Sequence, residues 1–172
     1  MNDSVGRRAA ARGFAFLFGL FCFATAHAQS AAPEFEVQRL DGAGSLSLST
    51  LRGKVVLVDF WASWCGPCVH TLAMYEAAAK KHPDDLAVLA ISVDTAPADA
   101  REFLREVQVS FPTAIDSEQK VQRLFQVRGI PSSYLIDRDG RIVRNFVGLP
   151  NPDELNTEID RLVAAARESG PE

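Results

Sequence analysis

Residues 55–61 restrict the fold more than any other segment of the chain. They read Val-Val-Leu-Val-Asp-Phe-Trp, a run of apolar side chains, mostly β-branched and aromatic, that is interrupted once, by Asp59. Such a run is typical of a strand that is buried on both faces, at the centre of a parallel or mixed sheet. Because parallel neighbours need crossover connections, helices must cover this sheet. The run therefore predicts an α/β protein.

The rest of the chain alternates in the way that this class requires. A turn at Asp139-Gly140 between two apolar runs predicts a hairpin, and acidic residues after Asn151-Pro152 predict the first turn of a last helix. We expect a mixed central β-sheet with helices on both faces. The predicted strands are 35–40, 55–61, 86–93, 134–136 and 142–147, with a short segment at 113–116 and helices at 65–82, from 95, around 121–125 and from 151.

Composition excludes some classes of protein. Hydrophobic residues make up 47% of the chain and the net charge is −4, so the chain can form a packed core. No run of lysine or arginine occurs, which makes nucleic acid a poor candidate partner. The chain is long enough for one domain, which we place at residues 29–172, with a mobile lead-in at 29–34.

The first 28 residues differ in kind from the rest. Three arginines precede an apolar run at 14–26, which ends in Ala26-His27-Ala28. A basic start, a short apolar middle and an Ala-x-Ala end predict a secretory signal peptide that is cleaved after Ala28. The run is shorter than the roughly 20 residues that cross a bilayer as a helix. An uncleaved membrane anchor remains the alternative, and periplasmic export is the expectation.

Removal of this leader would take Cys22 with it and leave Cys65 and Cys68 as a pair. In an oxidising compartment such a pair is expected to form a disulfide. Two cysteines three positions apart close almost no loop, so their bond would stabilise the fold little through chain entropy. The spacing therefore favours redox chemistry over a structural disulfide.

Cys65 falls at the predicted junction of the central strand and the next helix. Unpaired N–H groups and the positive end of the helix dipole stabilise a thiolate there, which lowers the pKa of the thiol. Cys65 could then attack a substrate disulfide, and Cys68 could resolve the mixed disulfide. A zinc site is an alternative, but His70 and His82 are the histidines that follow the pair, and neither is spaced to complete a tetrahedral set.

Asp59 is the one charged residue of the central strand. Pointing inwards, it would be a lone buried carboxyl with a raised pKa, able to take the Cys68 proton through water. The alternative, which the residues leave equally open, is a solvated or capping carboxylate near the strand end.

Residues 56–68, ending in Trp64-Cys65-Gly66-Pro67-Cys68, closely resemble the active-site segment of thioredoxins. The wider layout, with a leader and a later Gly129-Ile130-Pro131 block, resembles exported thioredoxin-like proteins of the TlpA and ResA type. The resemblance covers residues 34–165 and implies a thioredoxin-like fold and a thiol:disulfide oxidoreductase.

Site roles follow from that resemblance. It implies that Cys65 attacks, that Cys68 resolves, and that Asp59 is the buried proton-transfer carboxylate. The same resemblance places Pro131 at the cis-proline beside the disulfide. The residues that it implies bind substrate are Trp64, Ile130, Pro131 and Gly148, with Ile130 and Pro131 presenting backbone groups to an extended strand, whereas Trp61 is expected in the core.

One position departs from the exported relatives. Many of them carry Glu three residues after the second cysteine, where this chain has Thr71, and they often have Asn in place of Asp59. The proton-transfer carboxylate, Asp59, therefore follows the pattern of thioredoxins. This weakens an assignment to cytochrome c biogenesis, although apocytochromes, periplasmic enzymes and copper-site assembly factors all stay open as substrates.

Thioredoxin also carries Gly-Pro between its cysteines, and it is a reductant with a potential of about −270 mV. The same pair in this chain therefore favours a reductant. Protein thiols and disulfides are the expected partners, with a membrane-bound reductase as electron donor and no cofactor. Two alternatives stay open. One is a thiol peroxidase on the same fold, and the other is a copper or zinc carrier that uses Cys65, Cys68 and His70.

Overall fold

A computed structural model of the chain describes residues 30–168. The predicted leader, with its cleavage site and Cys22, lies outside the described residues. Within residues 30–168, no helix combines the length and the apolar character needed to cross a membrane.

The described chain forms one mixed sheet of seven strands, in the order β2-β1-β5-β4-β3-β6-β7. The central run folds as predicted, because β3 has all seven residues buried and hydrogen-bonds to a strand on each side. The strands are β1 (Glu36–Arg39), β2 (Ser45–Ser47), β3 (Val55–Trp61), β4 (Leu86–Ser92), β5 (Thr113–Ile115), β6 (Ser132–Ile136) and β7 (Ile142–Val147).

Parallel and antiparallel pairing divide the sheet into two halves. β3 pairs with β4 and β4 with β5 in parallel, while β6 lies antiparallel to β3 and forms the predicted hairpin with β7. The carboxyl ends of β3 and β4 therefore meet at one edge of the sheet. Chain segments that leave these two ends are brought together there.

Helices cover both faces of this sheet, as the alternating pattern predicted. The first two connect β3 to β4 and β4 to β5, so right-handed crossovers place both on one face. The last helix lies beside the first, where Lys81 forms an ion pair with Asp160. In the described residues the α-helices are α1 (Cys68–Lys81), α2 (Pro97–Glu106), α3 (Lys120–Leu124) and α4 (Pro152–Glu168).

Aromatic side chains fill the opposite face of the sheet. The ring of Phe125, directly after α3, lies 5.3 Å from Phe60 and 4.9 Å from Tyr134 between ring centres. Phe35 contacts the same ring at 5.6 Å. This cluster fixes the direction of β3, because alternation then turns Asp59 towards α1.

The prediction of a mobile lead-in at 29–34 is wrong for its described part. The Ala32 N–H donates to the Gly140 carbonyl, and the Ile142 N–H donates to the Ser30 carbonyl, both at 2.9 Å. Ala31 forms a β-bridge with Arg141. These contacts fix the segment to the hairpin, and Ala32 is buried.

Candidate active site

Cys65 and Cys68 form a disulfide between the end of β3 and the start of α1. Both residues are buried, with relative exposures of 4% for Cys65 and 0% for Cys68. The unequal exposure leaves the Cys65 side of the bond nearer to solvent. Trp64, which directly precedes Cys65, is 69% exposed.

The helix does not begin at Cys65, as the sequence suggested, but three residues later. The Cys68 N–H donates to the Cys65 carbonyl at 3.0 Å and the Val69 N–H to the Gly66 carbonyl at 3.4 Å, so the chain first makes tight i to i−3 turns. Pro67, which has no N–H, caps the helix instead of starting its first turn. Cys65 therefore lies one turn ahead of the amino end of α1.

Asp59 is buried beneath this junction, as predicted for an inward-pointing residue. Its relative exposure is 0%, and neither carboxyl oxygen has a hydrogen-bond partner in the described chain. Burial raises the pKa of the Asp59 carboxyl well above its ordinary value. The carboxyl is thus held protonated at pH values where an exposed aspartate is ionised. A solvated or capping role for Asp59 is excluded by this burial.

The buried side of α1 brings Cys68 and Tyr75 onto one face, since seven residues span two helical turns. The Tyr75 hydroxyl donates to Ser133 Oγ at 2.8 Å. Burial raises the pKa of the Tyr75 phenol, and the nearby Asp59 raises it further, while the bond to Ser133 lowers it. Sequence reasoning missed this pair, although the spacing from Cys68 to Tyr75 already places the two on one helix face.

A second buried carboxylate, Asp94, follows the end of β4 and supports the loop before the disulfide. It accepts hydrogen bonds from the Ser63 N–H at 2.9 Å and from the Ser63 hydroxyl at 2.8 Å. The Ser92 hydroxyl donates to it at 2.7 Å. Sequence analysis gave Asp94 no role. The sequence does contain an indication of this contact, because Ser63 and Asp94 each follow a strand, and the two parallel strands end at the same edge of the sheet.

Thr71 occupies the position of the glutamate in many exported relatives, and its side chain is buried. Its hydroxyl donates to the Cys68 carbonyl at 3.1 Å, within its own helix. At these two positions the buried carboxyl is therefore supplied by β3, as Asp59, and not by α1. His70 lies on the exposed side of α1. Among residues 30–168 no cluster of three or more His, Cys, Asp or Glu could hold a metal ion.

The Ile130–Pro131 peptide bond is cis. The Pro131 carbonyl accepts a hydrogen bond from the Gly148 N–H at 2.8 Å, so it is already used inside the fold. In the described chain, the backbone groups of Ile130 have no such partner. Gly148 has a φ of +80°, a conformation that side chains with a Cβ rarely adopt.

Apolar side chains lie exposed around the disulfide. Trp64 precedes it, Val69 follows it on α1, and Leu149 comes directly after Gly148. A groove of about 530 Å³ runs between α1 and this last loop. It is lined by His70, Ala73, Met74, Ala77, Leu149, Pro150 and Pro152. Exposed apolar surface next to a reactive group is typical of a protein-binding face.

The described chain combines a mixed sheet, a Cys-x-x-Cys disulfide at a strand–helix junction and a buried carboxyl on the strand before it. These features define a thioredoxin-like thiol-disulfide oxidoreductase. Residues 28–145 match the AhpC/TSA family. The chain belongs to this family.

Proteins that are similar in sequence or in structure agree with that class. The chain is 31% identical over 132 residues to the thiol-disulfide oxidoreductase ResA of Bacillus anthracis, covering 76% of each chain. It is 33% identical over 132 residues to the thioredoxin-like protein YneN of Bacillus subtilis, covering 75% of this chain and 76% of that one. A crystal structure of a provisionally named thiol:disulfide interchange protein DsbE from Chlorobium tepidum superposes with a TM-score of 0.72 at 34% identity, covering 80% of this chain and 96% of the other.

Proposed function

We propose that this oxidoreductase is an exported reductant that acts through a mixed disulfide, with Asp59 as the proton acceptor for Cys68. The observation that carries the proposal is the unpartnered Asp59 carboxyl, which is buried on the face of β3 that turns towards α1, the helix that begins at Cys68. A buried carboxyl without hydrogen bonds costs stability, and a structural role offers no compensation here. Chemistry at the pair offers a reason for its presence.

The reaction begins with the reduced pair. The Cys65 thiolate attacks one sulfur of a substrate disulfide, forms the mixed disulfide and expels the first substrate sulfur as a thiolate. At pH values where Asp59 is ionised, Cys68 then gives its proton to the Asp59 carboxylate, whose raised pKa makes it a stronger base than an exposed aspartate. The Cys68 thiolate attacks Cys65, forms the Cys65–Cys68 disulfide and expels the second substrate thiolate. The substrate disulfide is reduced by two electrons, and the dithiol of the protein is oxidised by two.

Substrate binding is proposed at the surface beside the disulfide. The free backbone groups of Ile130 can pair with an extended strand of the substrate, and Pro131 and Gly148 hold that loop in place. Trp64 would contact the apolar side chains of the same strand. Protein disulfides fit this surface, because it offers backbone pairing and apolar contact.

A reductant in an oxidising compartment has to be reduced again after each cycle. We propose a membrane-bound reductase as the electron donor, and a signal peptide at residues 1–28 as the means of export to the periplasm. The leader pattern and the Gly-Pro pair between the cysteines support these proposals. Amino-terminal sequencing of the secreted protein should begin at Gln29. An intact leader in the membrane fraction would instead indicate an anchor.

The first experiment is a trap. In Cys68→Ser the mixed disulfide on Cys65 cannot be resolved, so a substrate should stay bound to the protein and be released by a reducing agent. Cys65→Ser is the matched control and should trap nothing. Identification of the captured protein would name the substrate. Consumption of hydrogen peroxide by the reduced protein, abolished in Cys65→Ser, would contradict the proposal and favour a peroxidase.

The second experiment tests Asp59. A mixed disulfide with a fluorescent peptide is formed on Cys65, and its release by Cys68 is followed between about pH 6 and 9. Asp59→Asn should slow release by roughly a hundredfold at neutral pH, the lower range for a positioned proton acceptor. Unchanged release over that range would remove Asp59 from the mechanism. A reduction potential above about −180 mV would separately overturn the reductant direction.

A further inference from the structure

We propose that the groove between α1 and the loop after Gly148 is a specificity site, which binds an apolar side chain of the substrate close in sequence to its reacting cysteine. The residues proposed above to bind substrate, such as Trp64 and Ile130, lie outside this groove. The inference rests on the proposed attack by Cys65. It names the class of protein disulfide that the site prefers, one with an apolar residue beside it.

The groove is apolar and uncharged. Six of the seven residues that line it have apolar side chains, the seventh is His70, and none is a lysine, arginine, aspartate or glutamate. Met74 on the helix side is half-buried and Leu149 on the loop side is 54% exposed, so apolar surface on both sides still contacts solvent. A polar group buried here would lose its hydrogen bonds to water without regaining them. The groove therefore favours an apolar occupant.

The groove is continuous with the disulfide site. On the helix side, His70 lies two residues after Cys68, and on the loop side Leu149 directly follows Gly148. From Cys68 to Met74 the helix rises about 9 Å, at about 1.5 Å per residue. An extended chain covers this length in about three residues, at about 3.3 Å each. A substrate joined to the cysteine pair by a mixed disulfide therefore brings a side chain about three residues from its own cysteine to the groove.

This continuity selects the substrate polypeptide as the occupant. A thiol-disulfide oxidoreductase acts on protein thiols, so each reaction places a polypeptide beside the groove. A second copy of this chain in the groove would lie next to the disulfide and hinder that access. An anionic membrane surface is disfavoured, because the exposed carboxylate of Asp153 directly follows Pro152, one of the lining residues.

The expected effect is a selectivity between substrates. The free energy gained when an apolar side chain leaves water favours mixed-disulfide formation only for substrates that carry such a side chain at this place. Apolar pockets of enzymes discriminate between side chains by about 10- to 200-fold. Because this groove is open to solvent, we expect the lower end of that range, about tenfold.

The test follows mixed-disulfide formation in the reduced full-length Cys68→Ser protein. Each peptide carries one cysteine, linked by a disulfide to the same fluorescent thiol, and serine elsewhere. Cys65 attacks the peptide sulfur and releases the fluorescent thiol. In a peptide series, a single leucine replaces serine at each of the three positions on either side of the cysteine. At least one leucine peptide should react about tenfold faster than the all-serine peptide. Equal rates throughout the series would overturn the proposal.

Variants of the groove connect this preference to the surface. Leu149→Ala removes apolar surface and should lower the leucine-to-serine rate ratio roughly threefold. Ala73→Glu places a charge at an exposed helix position of the groove and should bring the ratio to about one. Both peptides release the same thiol, so any effect of a variant on the Cys65 thiolate cancels in the ratio.

Leu124→Ala is the matched control. Leu124 of α3 is 51% exposed, much like Leu149, but it lies outside the groove. Its substitution should leave the rate ratio at the value of the parent protein. A ratio that survives both groove variants, or that falls equally in Leu124→Ala, would overturn the proposal.

Sedimentation tests the other occupants. The protein is examined alone and with vesicles of phosphatidylglycerol and phosphatidylethanolamine, and we expect neither self-association nor vesicle binding through the groove. Self-association or vesicle binding that Leu149→Ala abolishes would assign the groove to a second copy or to a membrane, and would overturn the proposal.

The groove and the proposed mechanism fail in different ways. The rate ratio depends on attack by Cys65 alone, so it is independent of Asp59, of export and of the net direction of electron flow. If the peptide series is flat while Asp59→Asn slows release, the groove is wrong and the mechanism stands. If a leucine peptide is preferred while Asp59→Asn leaves release unchanged, the groove stands and Asp59 is not the proton acceptor.

Discussion

Two buried carboxyl groups lie near the disulfide, and they differ in their hydrogen bonding. Asp94, at the end of β4, accepts three hydrogen bonds from Ser63 and Ser92. Asp59, in the middle of β3, accepts none in the described chain. Burial is almost equal, with relative exposures of 4% and 0%. Burial alone therefore does not distinguish the two aspartates, whereas their hydrogen bonding does, and a buried polar group without partners calls for an explanation.

Asp94 holds the loop at Ser63, two residues before Cys65, and so supports the position of the disulfide. Asp59 keeps lone pairs that no donor has taken, as the proposed role of proton acceptor requires. A variant of Asp94 should therefore affect mainly stability, and a variant of Asp59 mainly the pH dependence.

Removal of the Asp94 carboxylate should have the largest effect on stability. Asp94→Ala leaves the Ser63 N–H and two hydroxyls without their acceptor, and each bond to a charged group is worth about 1.5–3 kcal/mol. Because the cost of burying the charge is relieved as well, we expect the free energy of unfolding to fall by about 3 kcal/mol. Chemical denaturation of the oxidised protein measures it.

Asp94→Asn is the control for that variant, since it keeps one acceptor oxygen and should lose roughly half as much. A loss below about 1 kcal/mol in Asp94→Ala would show that the three bonds contribute little, and the contrast with Asp59 would then disappear.

The pH dependence of stability should separate Asp59 from an ordinary aspartate. The folded state raises the pKa of Asp59 above its ordinary value of 3.8, so between the two values the folded protein binds more protons than the unfolded chain. Stability from this group is complete below the ordinary value and is lost as the pH rises towards the folded pKa. The slope is about 1.4 kcal/mol per pH unit.

Asp59→Asn removes this titration. The difference in unfolding free energy between wild type and Asp59→Asn should therefore fall as the pH rises from about 4, and become constant once the pKa of the folded carboxyl is passed. Denaturation series over this pH range give the curve. A difference that is independent of pH would mean that Asp59 titrates normally, against its burial.

The residues that could be predicted from the sequence are those whose signal is local. The apolar run at 55–61 predicted the central strand, because hydrophobicity decides it. The residues alone left the direction of Asp59 open, and the resemblance to thioredoxins favoured the buried carboxyl. The Asp139-Gly140 turn carried the hairpin, because its signal is also local. Spacing also gave the Cys65–Cys68 pair.

The parts that were missed depend on contacts between distant segments. The lead-in is fixed by backbone bonds between Ala32 and Gly140, which side-chain patterns do not encode. The start of α1 was placed three residues early, because a proline inside a tight turn reads much like a proline in the first turn of a helix. The bonds of Asp94 to Ser63 and of Tyr75 to Ser133 arise only when the strands and α1 assemble.

The smallest expected effect comes from deleting one donor to Asp94. Ser63→Ala removes the hydroxyl bond at 2.8 Å but keeps the backbone N–H bond, so the carboxylate stays anchored. We expect a loss of about 1.5 kcal/mol in the free energy of unfolding. Ser45→Ala is the matched control, because its hydroxyl donates to the Glu36 carboxylate on an exposed edge of the sheet, where such bonds contribute little. Equal losses in the two variants would show that burial adds nothing to the Ser63 bond. A larger loss in Ser63→Ala would show that the Asp94 network derives its stability from burial, so that the missing partners of Asp59 are what sets it apart.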